Sequence, residues 1–451
     1  MGEIKNILVA GLGRSGISAS RLAYQKGMKV YACDRKKKSE LESSREAAFP
    51  EWLEVATESD GLEFIDRIDT VVLSPGIPAG CELVREAKKK GKKVIAEIEF
   101  ASLFIDTPII AVTGTNGKTT VTTLIGDILA EAGENAPVAG NIGVALSDFA
   151  LQKFKGDFLV VELSSFQLEL IESFRPSIAV ILNVTPDHLD RYKSIDDYGK
   201  AKMNVFMNQR EKDVLVLNSD DEFTQSKIAP LKPRSFFFSK KEMNENGVFV
   251  KDGMIMFRNG KSAVPVFAVS EIRMMGVHNL ENALASICCA FAAGVETDAI
   301  KRVLARFTPP PHRMEEVDTI DGVKFINDSK ATNVDAMKRA LESFEKQVVL
   351  IAGGRDKKGD FKSLRHIVSE KVRILILIGE ASQKLEDAFS GLVKMQKESS
   401  MEDAVKYAFK CAGNGDVVIL SPGCASFDMY RNFEERGDDF KNQVRALKGN
   451  A

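Results

Sequence analysis

The sequence lacks any paired-cysteine pattern. Its six cysteines are scattered and include no C-x-x-C pair, and a chain of this length does not need disulfide bonds to hold its core together. We therefore expect reduced, mostly buried thiols and a cytoplasmic protein.

The chain also lacks an excess of either charge. Its 62 Lys and Arg residues nearly balance its 64 Asp and Glu residues, which gives a net charge of -2 and a pI of about 6.2. Proteins that bind nucleic acids more often carry a basic excess. We therefore expect no nucleic-acid partner.

Long apolar runs are missing as well. The longest, Ala283 to Val295, has about 13 residues, whereas a membrane-spanning helix needs about 18 or more. The N-terminus passes from Ile4 into a short apolar run and then into glycines, without the apolar segment and cleavage site of a secretory signal. We expect neither membrane insertion nor secretion by that route.

What the chain does contain is a repeated α/β pattern. Short, continuous, β-branched apolar runs are followed by Gly-rich or polar turns and then by helical stretches, which is typical of parallel strands buried on both faces. The predicted strands include Ile7 to Ala10, Thr70 to Leu73, Ile109 to Thr113, Phe158 to Leu163, Ile178 to Asn183, Val214 to Leu217, Val348 to Ala352, Ile374 to Ile378 and Val417 to Leu420.

The length of 451 residues predicts about three domains, at roughly 150 residues each. One boundary is expected near Glu97, before the strand that opens at Ile109. Another is expected at Pro309 to Pro311, where three prolines remove three backbone donors and end the preceding helix. The predicted domains are 1–97, 98–309 and 310–451. The segment Lys232 to Val269, with its hairpin-like turns, is predicted to be an antiparallel excursion of the middle domain.

A glycine-rich pattern opens the first domain. The segment Gly11 to Gly16 (GLGRSG) follows a predicted strand and starts a helix, and Asp34 lies 18 residues after Gly16 at the end of the next strand. Glycines let the backbone approach a pyrophosphate at the positive end of a helix, and the acid can bind a hydroxyl. NAD is only one of several nucleotide diphosphates that fit, and a tight turn that binds nothing would also explain the pattern.

A second loop, Gly114 to Thr120 (GTNGKTT), predicts phosphate binding more sharply. It lies between a strand and a helix, so that backbone N–H groups can cradle phosphates while Lys118 adds a charge and the Thr119 hydroxyl reaches Mg²⁺. Val112, not glycine, stands five positions before Gly117, so this loop is tighter than the common one.

Two further strand ends carry groups suited to a metal. A Mg²⁺ ion bound with phosphates still needs carboxylate or carbonyl oxygens, and Glu162 ends a strand where it could supply one, although an ordinary salt bridge would also explain an acid there. His188 lies in a polar cluster, 183–191, after the next strand. It is a candidate for metal or substrate contact rather than a surface histidine.

The third domain presents polar loops directly after its strands. These are Asn327 to Asn333, Gly353 to Lys357 and Ser421 to Asp428, preceded by His312-Arg313. Carboxyl ends of parallel strands share one edge, so the loops are expected to face the phosphate loop across an interdomain active site.

Together these motifs resemble the Mur ligase family of ATP-dependent amide-forming enzymes. The segments that carry the resemblance, in the family's order, are GTNGKTT at 114–120, VVELSSFQLE around Glu162, NVTPDHLDR at 183–191, HNLENALA at 278–285, HR at 312–313 and NDSKATN at 327–333. The GLGRSG segment and SPGCASFDMYRNFEERG at 421–437 resemble the members that add D-glutamate.

The resemblance implies an α/β fold of three domains: a Rossmann-like N-terminal domain that binds the UDP substrate, a central P-loop ATPase-like domain with a parallel sheet, and a Rossmann-like C-terminal domain that binds the amino acid. It implies UDP-substrate binding by Arg14, Ser15, Asp34, Arg35, Gly76 and Asn141. It implies ATP binding by Gly114, Thr115, Asn116, Gly117, Lys118, Thr119, Thr120, Asn279, Asn282, Arg313 and Asp328.

The family likeness also nominates catalytic, metal and amino-acid sites. The implied catalytic residues are Lys118, His188, Lys202 and Lys330, and two Mg²⁺ ions would be held by Thr119, Glu162, His188 and a carbamylated Lys202. D-Glutamate would be bound by Thr332, Lys357, Ser426, Phe427 and Phe433. The family's Y-x-x-A-K context matches Tyr198 to Lys202, with Lys200 close by, and position 427 is Phe where such members often have Leu.

The implied activity is ATP-dependent addition of D-glutamate to UDP-N-acetylmuramoyl-L-alanine through an acyl phosphate, by a monomer in the bacterial cytoplasm during peptidoglycan precursor synthesis. A dinucleotide-dependent oxidoreductase with an accessory P-loop domain is an alternative, as are a ligase for another amino acid, a folylpolyglutamate-type ligase and a non-catalytic ATP-binding regulator. Only a ligase would release phosphate when both of its other substrates are present.

Overall fold

The computed structural model describes residues 4–43, 49–141, 143–189, 191–227, 232–273 and 276–448. Within these residues the chain builds three separate sheets from strands in 6–96, 109–268 and 315–420. No helix among them has both the length and the apolar character to cross a bilayer. The predicted α/β class is confirmed, and the boundaries after residues 97 and 309 stay predictions.

The first sheet has five parallel strands in the order β3-β2-β1-β4-β5, which is the Rossmann order 3-2-1-4-5-6 without its sixth strand. Its strands are β1 (Asn6–Ala10), β2 (Lys29–Asp34), β3 (Glu54–Thr57), β4 (Thr70–Leu73) and β5 (Lys93–Ala96). Its helices are α1 (Arg14–Gln25), α2 (Lys38–Ser43), α3 (Glu82–Lys89) and α4 (Glu97–Ser102).

The central sheet has nine strands in the order β14-β13-β12-β11-β10-β9-β6-β8-β7. They are β6 (Ile109–Thr113), β7 (Val138–Gly140), β8 (Leu159–Glu162), β9 (Ile178–Ile181), β10 (Val214–Asn218), β11 (Arg234–Ser239), β12 (Gly247–Lys251), β13 (Met254–Asn259) and β14 (Ser262–Ala268). The helices are α5 (Lys118–Glu131), α6 (Leu146–Leu151), α7 (Ser165–Leu168), α8 (Ile195–Met203), α9 (Glu222–Lys227), α10 (Val277–Ala292) and α11 (Thr297–Leu304).

The prediction of an antiparallel excursion over residues 232–269 is wrong for β11 and for its pairing with β12. β11 pairs with β10, and β12 with β11, in parallel, and only β12, β13 and β14 form antiparallel pairs. The helix α9 lies between β10 and β11 and returns the chain to the start of the sheet, so β11 enters in the parallel direction.

The third sheet has the order β15-β16-β20-β17-β18-β19 and is parallel except for the hairpin β15-β16. Its strands are β15 (Glu315–Ile320), β16 (Val323–Asn327), β17 (Val348–Gly353), β18 (Val372–Ile378), β19 (Lys394–Lys397) and β20 (Val417–Leu420). Its helices are α12 (Val334–Glu342), α13 (Arg365–Lys371), α14 (Ser382–Phe389), α15 (Met401–Cys411) and α16 (Phe433–Leu447).

The cores show how the three parts are joined. One buried apolar cluster contains residues of both the first and the central sheet, and α6 packs on α1 and α4. Among the described residues, the apolar clusters of the third sheet contain no residue before Met314. The third part therefore meets the central part mainly through polar contacts, beside the site described next.

Candidate active site

The phosphate-binding loop links β6 to α5, and Asn183 holds it in shape. The Asn183 side-chain oxygen accepts hydrogen bonds from the backbone N–H groups of Thr115 at 3.1 Å and Asn116 at 2.9 Å. Gly117 has a φ of 86°, and a Cβ there would lie 2.3 Å from the Asn282 side-chain oxygen. Glycine is therefore required, and the first turn of α5, which has no side-chain cap, presents its N–H groups to an anion.

Two lysines converge on this loop from below. Lys118 Nζ donates to the carbonyl oxygens of Gly114 at 2.9 Å and Thr115 at 2.8 Å, and Lys202 Nζ donates to Gly114 O at 2.6 Å. Burial lowers the pKa of Lys118. Burial also lowers the pKa of Lys202 well below its usual value, and the nearby Lys118 charge adds to this effect.

Glu162 ends β8 beside the loop and is only 2 % exposed. Its Oε1 accepts a hydrogen bond from Asn141 at 2.9 Å, while its Oε2 is buried without a hydrogen-bond partner. A buried carboxylate oxygen with no protein donor is costly unless a cation or another donor meets it. The Glu162 side chain therefore fits a role as a metal ligand.

His188 and Asp187 follow β9 on the other side of the loop. Burial lowers the pKa of His188 to about 4, so its imidazole is neutral and able to bind a metal. Asp187 accepts a hydrogen bond from Asn333 at 3.0 Å and lies 3.5 Å from Lys357 Nζ. Asp190, in the same sequence cluster, lies outside the described residues.

The third part contributes three charged groups that face the loop. Burial lowers the pKa of Lys330 to about 7 and raises that of Asp328 to about 7, and it also lowers the pKa of Arg313. Lys330 Nζ lies 3.7 Å from the ring centroid of Phe433, a cation–π contact that orients it. The lowered pKa values of Lys330 and Arg313 indicate cations whose charge is poorly solvated. Such cations are stabilised when a polyanion binds beside them.

A cavity of about 330 Å³ collects most of the predicted ATP and metal residues. The predicted residues that line it are Thr115, Asn116, Gly117, Lys118, Thr119, Thr120, Asn141, Glu162, His188, Asn279, Asn282, Arg313, Asp328, Lys330, Thr332 and Lys357. Asn141, predicted for the UDP substrate, is thus next to the phosphate loop. Gly114 and Lys202 lie beneath this cavity and do not line it.

Two other cavities receive further predicted residues. One of about 820 Å³ lies at the carboxyl ends of the first sheet and is lined by Asp34, Arg35 and Gly76. Asp34 accepts the Leu12 backbone N–H at 2.7 Å and so holds the GLGRSG turn. A third cavity, of about 400 Å³, is lined by Thr332 and Lys357.

Besides Gly114 and Lys202, five predicted residues line none of these three cavities in the described structure. Arg14 donates to the Gly143 carbonyl at 2.5 Å, and Ser15 follows it in the first turn of α1. Ser426 is buried and Phe427 is 62 % exposed, while Phe433 acts through Lys330. Phe433 contacts Lys330 beside the first cavity, whereas Arg14, Ser15, Ser426 and Phe427 lie outside the cavities that hold the other predicted binding residues.

Sequence reasoning missed several residues that shape the site. Asn183 and Asn333 were quoted only within motifs, and neither was given its role in holding the loops together. Arg436 is 1 % exposed and donates to Ser329 O at 2.8 Å and Cys424 O at 3.1 Å, which joins two polar loops. Arg436 stands among the acidic residues of the segment FEERGDD at 433–439, so the sequence carries no signal that this side chain is buried.

Family models match most of the chain. They are the Mur ligase MurD-like N-terminal domain over residues 5–96, the Mur ligase middle domain over residues 112–290, and the Mur ligase glutamate ligase domain over residues 312–424. The chain belongs to the Mur ligase family. The predicted resemblance is therefore confirmed.

Relatives within the Mur ligase family match over nearly their full length. The chain is 43% identical to UDP-N-acetylmuramoylalanine–D-glutamate ligase of Thermoanaerobacter pseudethanolicus, over 98% of this chain and 99% of that protein. It is 41% identical to the protein of the same name from Koribacter versatilis, over 98% of both. The predicted resemblance to D-glutamate-adding Mur ligases agrees with both names.

Solved Mur ligases share the fold at low sequence identity. UDP-N-acetylmuramate-alanine ligase MurC of Thermotoga maritima aligns with a TM-score of 0.60 at 16% identity, over 99% of this chain and 100% of that chain. The MurF ligase of the same organism, in complex with ADP, aligns with a TM-score of 0.63 at 17% identity, over 99% and 96%. These likenesses concern the three-part architecture alone.

Proposed function

We propose that this chain is an ATP-dependent ligase that joins D-glutamate to UDP-N-acetylmuramoyl-L-alanine, in peptidoglycan precursor synthesis. One observation carries the proposal. Lys118 and Glu162 of the central part line the same cavity as Arg313 and Lys330 of the third part, so the triphosphate of ATP would meet cations from two domains. Names of the full-length relatives supply the substrates.

ATP would bind with its phosphates on the loop 114–120 and its adenine toward Asn279 and Asn282. Thr119, Glu162, His188 and Lys202 are the residues that would hold two Mg²⁺ ions. The unpartnered Glu162 Oε2 and the neutral His188 fit this role. Among the described residues, no three His, Cys, Asp or Glu side chains gather as a metal cluster, so phosphate and water oxygens would complete each shell. Bound Mg²⁺ would supply charge neutralisation at the transferred phosphoryl group.

Lys202 is proposed to be carbamylated. Only a neutral amine attacks carbon dioxide, and burial favours the neutral form of Lys202. The resulting carbamate would be a carboxylate-like oxygen ligand next to Lys118. Lys200, its neighbour on α8, is exposed and has no comparable environment.

The other substrates have separate cavities. The uridine diphosphate would occupy the cavity of about 820 Å³ beside Asp34, Arg35 and Gly76. D-Glutamate would occupy the cavity of about 400 Å³, where Lys357 can bind a carboxylate and Thr332 can donate a hydrogen bond. Arg14, Ser15, Ser426, Phe427 and Phe433 would need to approach their substrates as those bind.

The chemistry follows from the poor reactivity of a carboxylate. Its oxygen attacks the γ-phosphorus of ATP, ADP leaves, and an acyl phosphate forms; the amine of D-glutamate then attacks the carbonyl carbon, loses a proton, and inorganic phosphate leaves. Lys118, Lys330 and Arg313 stabilise the charge on the transferred phosphoryl group. The cavity walls align two substrates and exclude water.

A cytoplasmic location, a bacterial host and a monomeric state belong to this proposal. The substrates named here are small, soluble molecules.

The test is phosphate release by the purified protein with ATP, Mg²⁺, UDP-N-acetylmuramoyl-L-alanine and single amino acids. We expect release only when the nucleotide substrate and D-glutamate are both present, and little with L-glutamate. Lys202→Gln should reduce the rate by about 10² or more, as for loss of a group that holds transition-state charge, whereas Lys200→Gln should not. Release with another amino acid would contradict the assignment of D-glutamate, and release with no pair would refute the ligase.

A further inference from the structure

The contact between the central and third parts is polar where it can be described. No buried apolar cluster of the described residues contains members of both parts. Little apolar surface therefore becomes exposed to water when the two parts separate. Their relative position depends on a few directional polar contacts.

Besides the contacts of Asp187 with Asn333 and Lys357, one network of hydrogen-bonded charges crosses the interface twice. Arg339, on α12 of the third part, donates through Nη1 to Glu281 Oε2 of the central helix α10 at 2.5 Å. Its Nε donates to Asp335 Oδ2 at 2.9 Å, and the same oxygen accepts from Asn116 Nδ2 of the phosphate loop at 2.7 Å. Lys240 meets the other Glu281 oxygen at 2.5 Å.

This network of charged side chains is largely shielded from water, and its members stay charged. The side chains of Arg339, Glu281 and Asp335 are 20%, 10% and 18% exposed. Burial acts to lower the pKa of Arg339, but Asp335 and Glu281 outweigh it and raise that pKa above its usual value. The planar guanidinium can serve two carboxylates at once, which a lysine cannot do.

The helix that carries Arg339 directly follows the loop of the third part that contains Lys330 and Thr332. Asn333 caps α12 by accepting the Ala336 backbone N–H at 2.8 Å, and Lys330 and Thr332 come immediately before this cap. Fixing α12 against the central part therefore fixes the position of Lys330 over the phosphate loop.

We propose that Arg339 and Glu281 are positioning residues that latch the third part onto the phosphate loop in the ATP-bound enzyme. This inference rests on the proposed function for the identity of the nucleotide. Arg339 lines the ATP cavity whereas Glu281 does not, so a change at Glu281 tests the latch without removing a side chain from the cavity wall. The hydrogen bond from Asn116 to Asp335 connects the latch directly to the phosphate loop.

The test compares Glu281→Gln with Glu131→Gln. Glu131 pairs with Arg302 and Arg306, all within the central part, so its variant removes a paired carboxylate without touching the interface. Hydrogen exchange over residues 327–342 and binding of adenylyl imidodiphosphate with Mg²⁺ are measured; neither needs turnover. Both readouts therefore stand even if D-glutamate proves to be the wrong substrate.

We expect Glu281→Gln to speed exchange in 327–342 and to weaken binding of the analogue ~10-fold, as for loss of one partner of a shielded charge pair. Glu131→Gln should do neither, and affinity for the UDP substrate should not change. Arg339→Lys should restore part of what Arg339→Gln loses, and adding Glu281→Gln to Arg339→Gln should cost little more. The latch is refuted if Glu281→Gln matches Glu131→Gln, if the two losses add in full, or if exchange rises equally throughout the chain.

Discussion

Individual side chains around the phosphate loop are held in environments that shift their charge. Lys118, Lys330 and Arg313 all have lowered pKa values because burial removes water from their cations. Burial also raises the pKa of Asp328, to about 7. Burial destabilises the charged forms of the three basic side chains, and a bound polyanion stabilises them. This stabilisation contributes to the affinity of the site for ATP.

The lowered pKa of Lys330 predicts that the enzyme takes up protons when the nucleotide binds. The pKa of Lys330 is about 7 against an ordinary 10.5, so between those pH values the free enzyme holds this side chain neutral. The triphosphate raises that pKa again, and binding therefore takes up protons, on the order of one for each site so coupled. Calorimetric titration of adenylyl imidodiphosphate with Mg²⁺, in buffers of different ionisation enthalpy, measures this uptake.

Lys330→Gln should reduce the uptake, with the remainder carried by Lys118. Lys200→Gln, which removes an exposed lysine of α8, should leave it as in the wild type. Net proton release in that pH range, or an uptake unchanged by Lys330→Gln, would contradict the proposed charge state.

The placement of single residues could be predicted from sequence where the signal is local. Lys118 and Glu162 stand at strand ends in recognisable patterns, and both line the cavity. Arg339 could not be found in this way, because its partner Glu281 is 58 positions away and the helix that bears it reads as an ordinary surface helix. Long-range polar pairs leave little trace in a single sequence.

Single elements are anchored by buried acids as well as by apolar packing. Glu99 of α4 is 0% exposed and its carboxylate accepts the backbone N–H groups of Glu172, Ser173 and Phe174 at 3.0, 2.9 and 2.8 Å. This carboxylate satisfies three donors of the turn that precedes β9, and so ties the end of the first part to the sheet that carries His188.

Glu99→Ala should therefore destabilise the protein by about 3 kcal/mol or more, because three backbone donors lose a buried, charged acceptor. Glu172→Ala is the control, since that side chain is 50% exposed and pairs with Lys93; it should cost about 1 kcal/mol or less. Urea unfolding measures both variants. Equal losses would show that Glu99 contributes no more than a surface ion pair.

The existence of the strands was easier to predict from the sequence than the direction in which each strand runs. Ile109 to Thr113 and Val214 to Leu217 are continuous apolar runs, and each forms a buried strand. The direction of β11 depends instead on whether α9 carries the chain across the sheet. The turns after it look like hairpins in either case, so the sequence pattern predicted an antiparallel pair where a parallel one formed.

At the scale of the whole molecule, three sheets direct their carboxyl ends toward one region. Loops after β6, β8 and β9 meet loops after β16 at the cavity of about 330 Å³, and the cavity beside the first sheet also receives Arg191 and Tyr192 of the central part. The positions of motifs at strand ends predicted this convergence. Which side chains would bridge the domains was not predictable, because it depends on how the parts dock.

In the proposed reaction, ATP activates the substrate carboxylate and D-glutamate then displaces phosphate. The most direct measurement uses UDP-N-acetylmuramoyl-L-alanine with oxygen-18 in its terminal carboxylate, ATP, Mg²⁺ and D-glutamate, and determines the label in the released phosphate by mass spectrometry. We predict that each released phosphate carries one labelled oxygen from the carboxylate and that no phosphate is released without the nucleotide substrate. Turnover that yields unlabelled phosphate would contradict it.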